Sequence, residues 1–130
     1  MQPAEGDTYT YERTFTEADV RRFAAVTDDD QPRHTDPDDQ GRLMVHGLLT
    51  GSLLTKIGGD IEMLAREMTF EFRRPVYTGD TVVCEWVNEE VTERGNGWEV
   101  AASVQCWRVE DDGEPRDTVL RATVEGLVRE

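Results

Sequence analysis

The sequence predicts an α+β domain in which one buried helix packs against about five mainly antiparallel strands. Three observations predict it: an almost uncharged apolar segment of helical length, alternating apolar residues through the second half of the chain, and turn residues between the alternating runs. A chain of 130 residues suits one compact domain, and no repeat or linker divides it. We therefore expect a single domain over residues 1–130.

The N-terminal segment is predicted to form a strand followed by a short helix. Residues 8–15 are rich in β-branched and aromatic side chains, which favour a strand. Thr16 and Asp19 have the spacing of a capping box, although an aspartate reaches back to the N-cap less easily than the usual glutamate. The helix that follows has one apolar face and should end near Val26.

Residues 27–41 are rich in aspartate and contain two prolines, a composition that predicts an overhanging loop. Pro32 argues against a helix here, because it pushes Gln31 towards extended geometry. Residues 47–57 (GLLTGSLLTKI) then carry apolar side chains around most of a helical circumference, with Lys56 as the only ionised group. A helix without a charged face is a buried one, and Gly58 and Gly59 are expected to end it.

The remainder of the chain is predicted to form strands. Residues 63–74 and 81–92 are separated by a turn, and residues 94–97 (RGNG) are typical of a hairpin loop. Two further alternating runs follow, separated by a turn. In the last of them Gly126 interrupts the alternation, which makes it a candidate β-bulge.

The composition excludes several classes of protein. The net charge is −14, and this disfavours sequence-independent binding of nucleic acid, which needs positive charge. Residues 43–55 are too few and too polar to span a membrane, and the N-terminal residues lack a signal-peptide pattern, so we expect a cytoplasmic protein. Thirteen of the 14 basic residues are arginine. Many carboxylates with almost no lysine indicate a halophilic cytoplasm, where salt screens self-repulsion; an acidic mesophilic protein is the alternative.

The cysteines and histidines do not form a recognised metal motif. Cys84 and Cys106 lie in alternating apolar segments, which favours buried free thiols over a disulfide. The two histidines could in principle join a carboxylate around a metal, but no HExxH or Cys/His spacing supports this. We therefore expect no metal site.

Candidate chemistry lies in residues 28–34 (DDDQPRH). On a helix Asp29 and His34 would face different sides, but a loop kinked at Pro32 can turn both side chains towards one point. A carboxylate and an imidazole that converge on one water form a competent proton-transfer pair. An ordinary solvated acidic loop is the alternative interpretation.

A second candidate feature is the start of the buried helix at His46 and Gly47. Free N–H groups at a helix N-terminus suit a polarised carbonyl or a developing oxyanion, and glycine lets a ligand approach the backbone. The alternatives are tight packing of the helix against the sheet for Gly47, and a hydrogen-bonded, partly buried histidine for His46.

The order of these parts resembles the MaoC-like dehydratases, the (R)-specific enoyl-CoA hydratases of the hotdog fold. The resemblance runs from about Tyr9 to Val128 and includes the Asp-x-x-Pro-x-His string, the His-Gly pair and residues 72–80 (FRRPVYTGD). Family members typically show Gly-Asp-x-Asn-Pro-x-His. Here Asp28 replaces the glycine, although it takes positive φ less cheaply, and Gln31 replaces the asparagine with an amide one methylene further out.

The resemblance implies a five-stranded antiparallel sheet wrapped around a central helix at about residues 47–57, with a short N-terminal helix, an overhanging loop and pairing into a homodimer or higher homo-oligomer. It implies that water adds across a trans-2-enoyl thioester of CoA or of an acyl carrier protein. Asp29 would be the base, His34 would hold the water, and the Gly47 N–H would polarise the thioester carbonyl. Gln31, His46 and Ser52 are candidate site neighbours.

Two alternative functions remain open on the sequence. A non-catalytic acyl-thioester-binding domain could keep the fold, and the departures at Asp28 and Gln31 leave that alternative open. A thioesterase is the second alternative, because many hotdog thioesterases supply a carboxylate from the central helix. Residues 47–57 contain no Asp or Glu, which argues against hydrolysis.

Overall fold

A computed structural model describes residues 2–130 and contains five strands and four helical segments. In chain order these are β1 (Thr8–Thr14), α1 (Glu17–Thr27), α2 (Pro32–Thr35), α3 (Gly47–Gly51), α4 (Leu53–Asp60), β2 (Met63–Phe72), β3 (Thr81–Arg94), β4 (Gly97–Val109) and β5 (Pro115–Arg129). The strands form one antiparallel sheet in the order β1-β3-β4-β5-β2. This is the predicted hotdog arrangement of a five-stranded sheet with a central helix.

The core lies between the inner face of the sheet and the α3–α4 segment. On β3 the buried residues are every second one, Val82, Cys84 and Trp86, because successive side chains of a strand point to opposite faces. Leu53 and Ile57 of α4 pack into the same cluster. Both cysteines are buried free thiols, as predicted.

The N-terminal helix begins as predicted. The backbone N–H of Asp19 donates to Thr16 Oγ1 at 3.1 Å, and the Asp19 carboxylate accepts from the Thr16 backbone N–H, also at 3.1 Å. Both halves of the capping box are therefore present, despite the shorter aspartate. The helix ends at Thr27, one residue beyond the predicted end.

The central helix departs from the prediction in three ways. It is interrupted at Ser52, which separates α3 from α4. Leu48 is 59% exposed rather than buried, because the sheet of one chain covers only part of the helix circumference. Gly58 and Gly59 do not end the helix: both have ordinary helical φ, α4 continues to Asp60, and the left-handed residue after it is Glu62, with φ 55°.

Two further predictions about local backbone are wrong. Pro32 starts the short helix α2 instead of preventing one, because proline at the first helical position sacrifices no intrahelical hydrogen bond. The bulge predicted at Gly126 lies on the partner strand β2, where Arg66 is the extra residue between Ala65 and Glu67. Gly126 instead permits close approach, because a Cβ there would clash with the Leu64 carbonyl oxygen.

The hairpin predicted at residues 94–97 is present between β3 and β4, and its loop has two residues, with Gly95 at φ 61°. Among the described residues, no helix has the length and apolar character needed to cross a membrane.

Candidate active site

Asp28 turns the chain sharply at the end of α1. It occupies the left-handed region at φ 61° and ψ 17°, the conformation that a glycine would take more cheaply. The next backbone N–H, that of Asp29, donates to Thr27 Oγ1 at 3.2 Å, and the Thr27 hydroxyl donates to the Phe23 carbonyl at 2.7 Å. The end of α1 therefore sets the position from which the Asp29 side chain projects.

His34 is placed by the short helix α2, and its ring is buried with 6% of the side chain exposed. Its Nδ1 lies 2.7 Å from the Met44 carbonyl oxygen, and the Met44 N–H donates to the Arg33 carbonyl at 2.9 Å. Because a carbonyl oxygen only accepts, His34 Nδ1 carries the proton. In the neutral ring Nε2 is therefore left with a free lone pair.

The structure brings Asp29 and His34 together. His34 Nε2 lies 3.8 Å from Asp29 Oδ2, and 40% of the Asp29 side chain is exposed. This separation is too long for a direct hydrogen bond. A water molecule that donates straight hydrogen bonds of about 2.8 Å to two acceptors holds them about 4.4 Å apart, so one water bridges the carboxylate and the imidazole with slightly bent hydrogen bonds.

Gln31 reaches the Asp29 carboxylate despite its extra methylene. Its Nε2 donates to Asp29 Oδ1 at 2.8 Å. This hydrogen bond is the main reason that the pKa of Asp29 is lowered from its ordinary value, and the Gln31 backbone N–H adds to the effect. Gln31 therefore orients the carboxylate and favours its ionised, proton-accepting form.

His46 lies directly behind the pair and is 3% exposed. Its ring stacks on that of His34, with centroids 3.7 Å apart and planes 14° apart, and the Phe23 ring meets it edge-on at 4.9 Å. His46 Nε2 lies 2.9 Å from the Asp29 backbone carbonyl oxygen, so Nε2 is the protonated nitrogen. His46 Nδ1 is buried and has no hydrogen-bond partner among residues 2–130.

The same three side chains are the candidates for a metal site. One ligand atom from each of Asp29, His34 and His46 lies within 4.8 Å of the others. However, the stacked rings hold the free lone pairs of the two imidazoles in nearly parallel planes, while a metal about 2.1 Å from each nitrogen would have to lie near both ring planes. The arrangement is poorly suited to joint coordination by the histidines. That the site needs no metal stays a prediction.

Gly47 is the first residue of α3, so its N–H has no acceptor within the helix. A Cβ at this position would lie 2.9 Å from Cε1 of Phe72, and one at Gly51 would lie 3.1 Å from Cε1 of Phe70. Tight packing against β2, the alternative interpretation of Gly47, is therefore present. Gly47 also lines a cavity of about 270 Å³ together with Thr50.

Among residues 2–130, Ser52 forms no hydrogen bond with Asp29 or His34. Its hydroxyl donates to the Leu49 carbonyl at 2.6 Å. It lines a different cavity, of about 380 Å³, whose apolar wall includes Phe23 and Leu53.

The sequence predicted neither Met44 nor Phe23 as a site residue. Met44 acts through its carbonyl, which has no sequence signal, whereas the apolar face of α1 was the available clue to Phe23.

Comparisons with known proteins agree with this architecture. The family model described as "MaoC like domain" matches residues 1–108. The structure of R-hydratase PhaJ1 from Pseudomonas aeruginosa is 23% identical, with a TM-score of 0.82 over 98% of this chain and 83% of that one. The (R)-hydratase from A. caviae involved in PHA biosynthesis is 25% identical, with a TM-score of 0.71 over 98% and 96% of the two chains.

A curated relative is the mitochondrial 3-hydroxyacyl-[acyl-carrier-protein] dehydratase of Arabidopsis thaliana. It is 27% identical over an alignment of 113 positions, which covers 79% of this chain and 66% of the relative's length. The family match covers most of the chain, and the fold agrees with it. This chain belongs to the MaoC-like dehydratase domain family.

Proposed function

We propose that this protein is a hydro-lyase that adds water reversibly across the double bond of a trans-2-enoyl thioester and gives an (R)-3-hydroxyacyl thioester. The single observation that carries the proposal is the 3.8 Å gap between Asp29 Oδ2 and His34 Nε2. Both atoms are acceptors, one on an ionised carboxylate and one on an imidazole whose proton is on Nδ1. A water between them donates one hydrogen bond to each and keeps its lone pairs free for attack.

The proton balance follows from this placement. Asp29 accepts one proton of the water as its oxygen bonds to Cβ of the substrate, and the electrons of the double bond move towards the thioester carbonyl. The protonated Asp29 then returns a proton to Cα on the same face. His34 holds the other hydrogen of the water, which remains as the product hydroxyl.

The Gly47 N–H is the proposed donor to the thioester carbonyl. Gly47 directly follows His46, whose ring stacks on His34, and it borders the cavity of about 270 Å³. A fixed N–H aimed at the carbonyl oxygen would stabilise the negative charge that develops there. These steps use water and an activated alkene only, so we propose no metal or redox cofactor.

The name of one relative supports an acyl carrier protein as the carrier of the acyl group, and CoA is the carrier that the sequence resemblance implies. One relative is named as an acyl-carrier-protein dehydratase and one structural neighbour as an (R)-hydratase. We propose a CoA or acyl-carrier-protein thioester as substrate, and neither a nucleic acid nor a membrane as partner. The test is a chain-length series of trans-2-enoyl-CoAs in high salt, which follows loss of the enoyl absorbance and determines the stereochemistry of the product.

The same assay separates the two alternatives. A non-catalytic acyl-thioester-binding domain would bind enoyl-CoA without the loss of absorbance. A thioesterase would release free CoA, which a thiol reagent detects. The one carboxylate of the α3–α4 segment is Asp60, and it lies at the exposed end of α4, where it pairs with Lys56 at 2.8 Å. Its position does not favour attack on a thioester near Gly47.

We further propose that two copies of the chain pair through β2. Within the described residues β2 is an edge strand that pairs with β5 alone, and unpaired backbone groups on a long edge favour addition of another strand. Leu48, Met68 and Phe72 are 59%, 37% and 53% exposed, so this side is also apolar.

The oligomeric state tests this pairing: light scattering should give twice the mass of the chain. Met68→Glu should give a monomer, whereas Val26→Glu, at an exposed apolar position on α1, should not.

A further inference from the structure

The His46 side chain touches both members of the proposed proton-transfer pair. It donates from Nε2 to the Asp29 carbonyl at 2.9 Å and stacks on the His34 ring at 3.7 Å. It is 3% exposed, and its Nδ1 has no partner among residues 2–130. Burying a polar nitrogen without a partner is unfavourable, so a plain apolar side chain would serve the core better. The contacts of Nε2 and of the ring face suggest what this histidine contributes.

The hydrogen bond to Asp29 completes a clamp on its backbone. The Asp29 N–H donates to Thr27 Oγ1 at 3.2 Å, while its carbonyl accepts from His46 at 2.9 Å. Both peptide groups around Asp29 are therefore held, although 40% of its side chain is exposed. The left-handed residue just before it, Asp28, would otherwise make this segment prone to relax.

The stacking contact restrains His34 in a different direction. The bond from His34 Nδ1 to the Met44 carbonyl fixes where Nε2 points within the ring plane. The His46 face, 14° from parallel, restrains the tilt of that plane. Phe23 meets the His46 ring edge-on at 4.9 Å and supports it from α1. The separation between His34 Nε2 and Asp29 Oδ2 is therefore set jointly through His46.

We propose that His46 is a positioning residue, which holds the Asp29 carboxylate and the His34 imidazole at water-bridging distance through its Nε2–H and its ring face. The inference rests on the proposed hydratase function and adds a role that the proton chemistry itself does not require. A positioning role predicts a distinctive kinetic effect. A misplaced base slows the chemical step and lowers kcat, whereas binding of the thioester, and so KM, is little affected.

The test uses variants that separate the two contacts. His46→Phe keeps an aromatic face but has no donor, and His46→Gln keeps an N–H donor but has no ring. With crotonyl-CoA we expect His46→Phe to lower kcat roughly 10- to 100-fold and to change KM less than about 3-fold. His46→Gln should recover part of that loss. In an Asp29→Asn background His46→Phe should have less than about a 2-fold further effect, because the aligned base is already absent.

A matched control is Asn88→Leu. Asn88 is also buried, 1% exposed, and accepts from Trp86 Nε1 at 2.8 Å on β3, so its loss lowers the melting temperature without touching the pair. It should leave kcat unchanged. Wild-type kcat in His46→Phe, or full additivity of its effect with Asp29→Asn, would overturn the inference.

An arm without substrate distinguishes failure of this inference from failure of the proposed function. Nitrogen-15 NMR of the imidazoles should show the proton on Nδ1 of His34 and on Nε2 of His46. In His46→Gln and His46→Phe the His34 signals should broaden or shift as the ring loses its restraint. Unchanged His34 signals would overturn the positioning role. An inactive wild-type protein would overturn the hydratase function, and these spectra would still decide whether His46 holds His34.

Discussion

Gln31 holds the Asp29 carboxylate by a hydrogen bond of 2.8 Å from its Nε2, on the oxygen that does not face His34. One carboxylate oxygen is thus oriented by an amide, while the other is left 3.8 Å from His34 Nε2. Gln31 has a longer side chain than the asparagine of the typical family motif. Its amide still donates a hydrogen bond to the Asp29 carboxylate. The pH dependence of the reaction therefore tests whether Gln31 lowers the pKa of Asp29.

Gln31→Leu should move the acid limb of the activity profile to higher pH. The hydrogen bond from Gln31 is the main cause of the lowered pKa of Asp29, and its loss lets that pKa rise towards the ordinary value of an aspartate. Because the base must be ionised, activity is then lost at a higher pH on acidification. Gln31→Asn, which keeps the amide, is the control, and the pH profile of kcat/KM is the measurement.

The lowered pKa of Asp29 should also make the free energy of unfolding depend on pH. A carboxylate with a lowered pKa stabilises the folded state above its unfolded pKa, and this contribution is lost as the pH falls through the folded pKa. The difference in unfolding free energy between wild type and Gln31→Leu should therefore shrink as the pH falls below about 5. An acid limb that does not move would exclude Gln31 as the cause of the lowered pKa.

Asp28→Gly should stabilise the protein. Asp28 has φ 61°, where a side chain costs about 1 kcal/mol that glycine avoids. For a domain of this size the melting temperature should rise by roughly 3 °C. Asp30→Gly is the control, because Asp30 is exposed and does not have positive φ; it should give no increase. A melting temperature that falls in Asp28→Gly would show that the aspartate side chain contributes more than its backbone costs.

Much of the fold could be predicted because the relevant signals are local. Alternation identified the buried faces of the strands, and the Thr16–Asp19 spacing predicted a capping box that is present in full. The spacing around Pro32 also predicted the convergence of Asp29 and His34, even though the reason offered, a loop without a helix, was wrong. A turn that starts at proline brings the two side chains together as effectively.

The remaining features depend on contacts across the fold. The glycines at 58 and 59 tolerate either a helical or a left-handed backbone, so their type alone could not locate the helix end. The sequence predicted a bulge at Gly126 because the local pattern of residues does not show that the backbone of β2 packs closely against this glycine. The contact from His46 to the Asp29 carbonyl involves a backbone oxygen, which every residue has, so no residue type signals it.

The two cysteines should be unreactive in the folded protein. The neighbouring Cys84 thiol and burial both raise the pKa of Cys106, so it stays protonated at neutral pH. A thiol reagent such as DTNB should label neither cysteine in the native protein and both after unfolding in denaturant. Rapid labelling of the native protein would show that the β3–β4 region opens.

Salt should stabilise the protein if its excess of carboxylates reflects a halophilic cytoplasm. The chain has a net charge of −14, and at 1 M salt the Debye length is only about 3 Å, so repulsion among exposed charges is screened. We expect the urea midpoint to rise steadily from 0.1 to 3 M KCl. Equal stability without added salt would support the mesophilic alternative, and the cytoplasmic location stays a prediction in either case.

The most direct test of the account is hydration of crotonyl-CoA by the wild-type protein, Asp29→Asn and His34→Ala, measured as loss of the enoyl absorbance. If both residues act on one shared water, each variant should lose roughly 10²- to 10⁴-fold in kcat, and the double variant should be little worse than either single one. Wild-type turnover in either single variant, or independent multiplicative losses in the double variant, would contradict a shared water between Asp29 and His34.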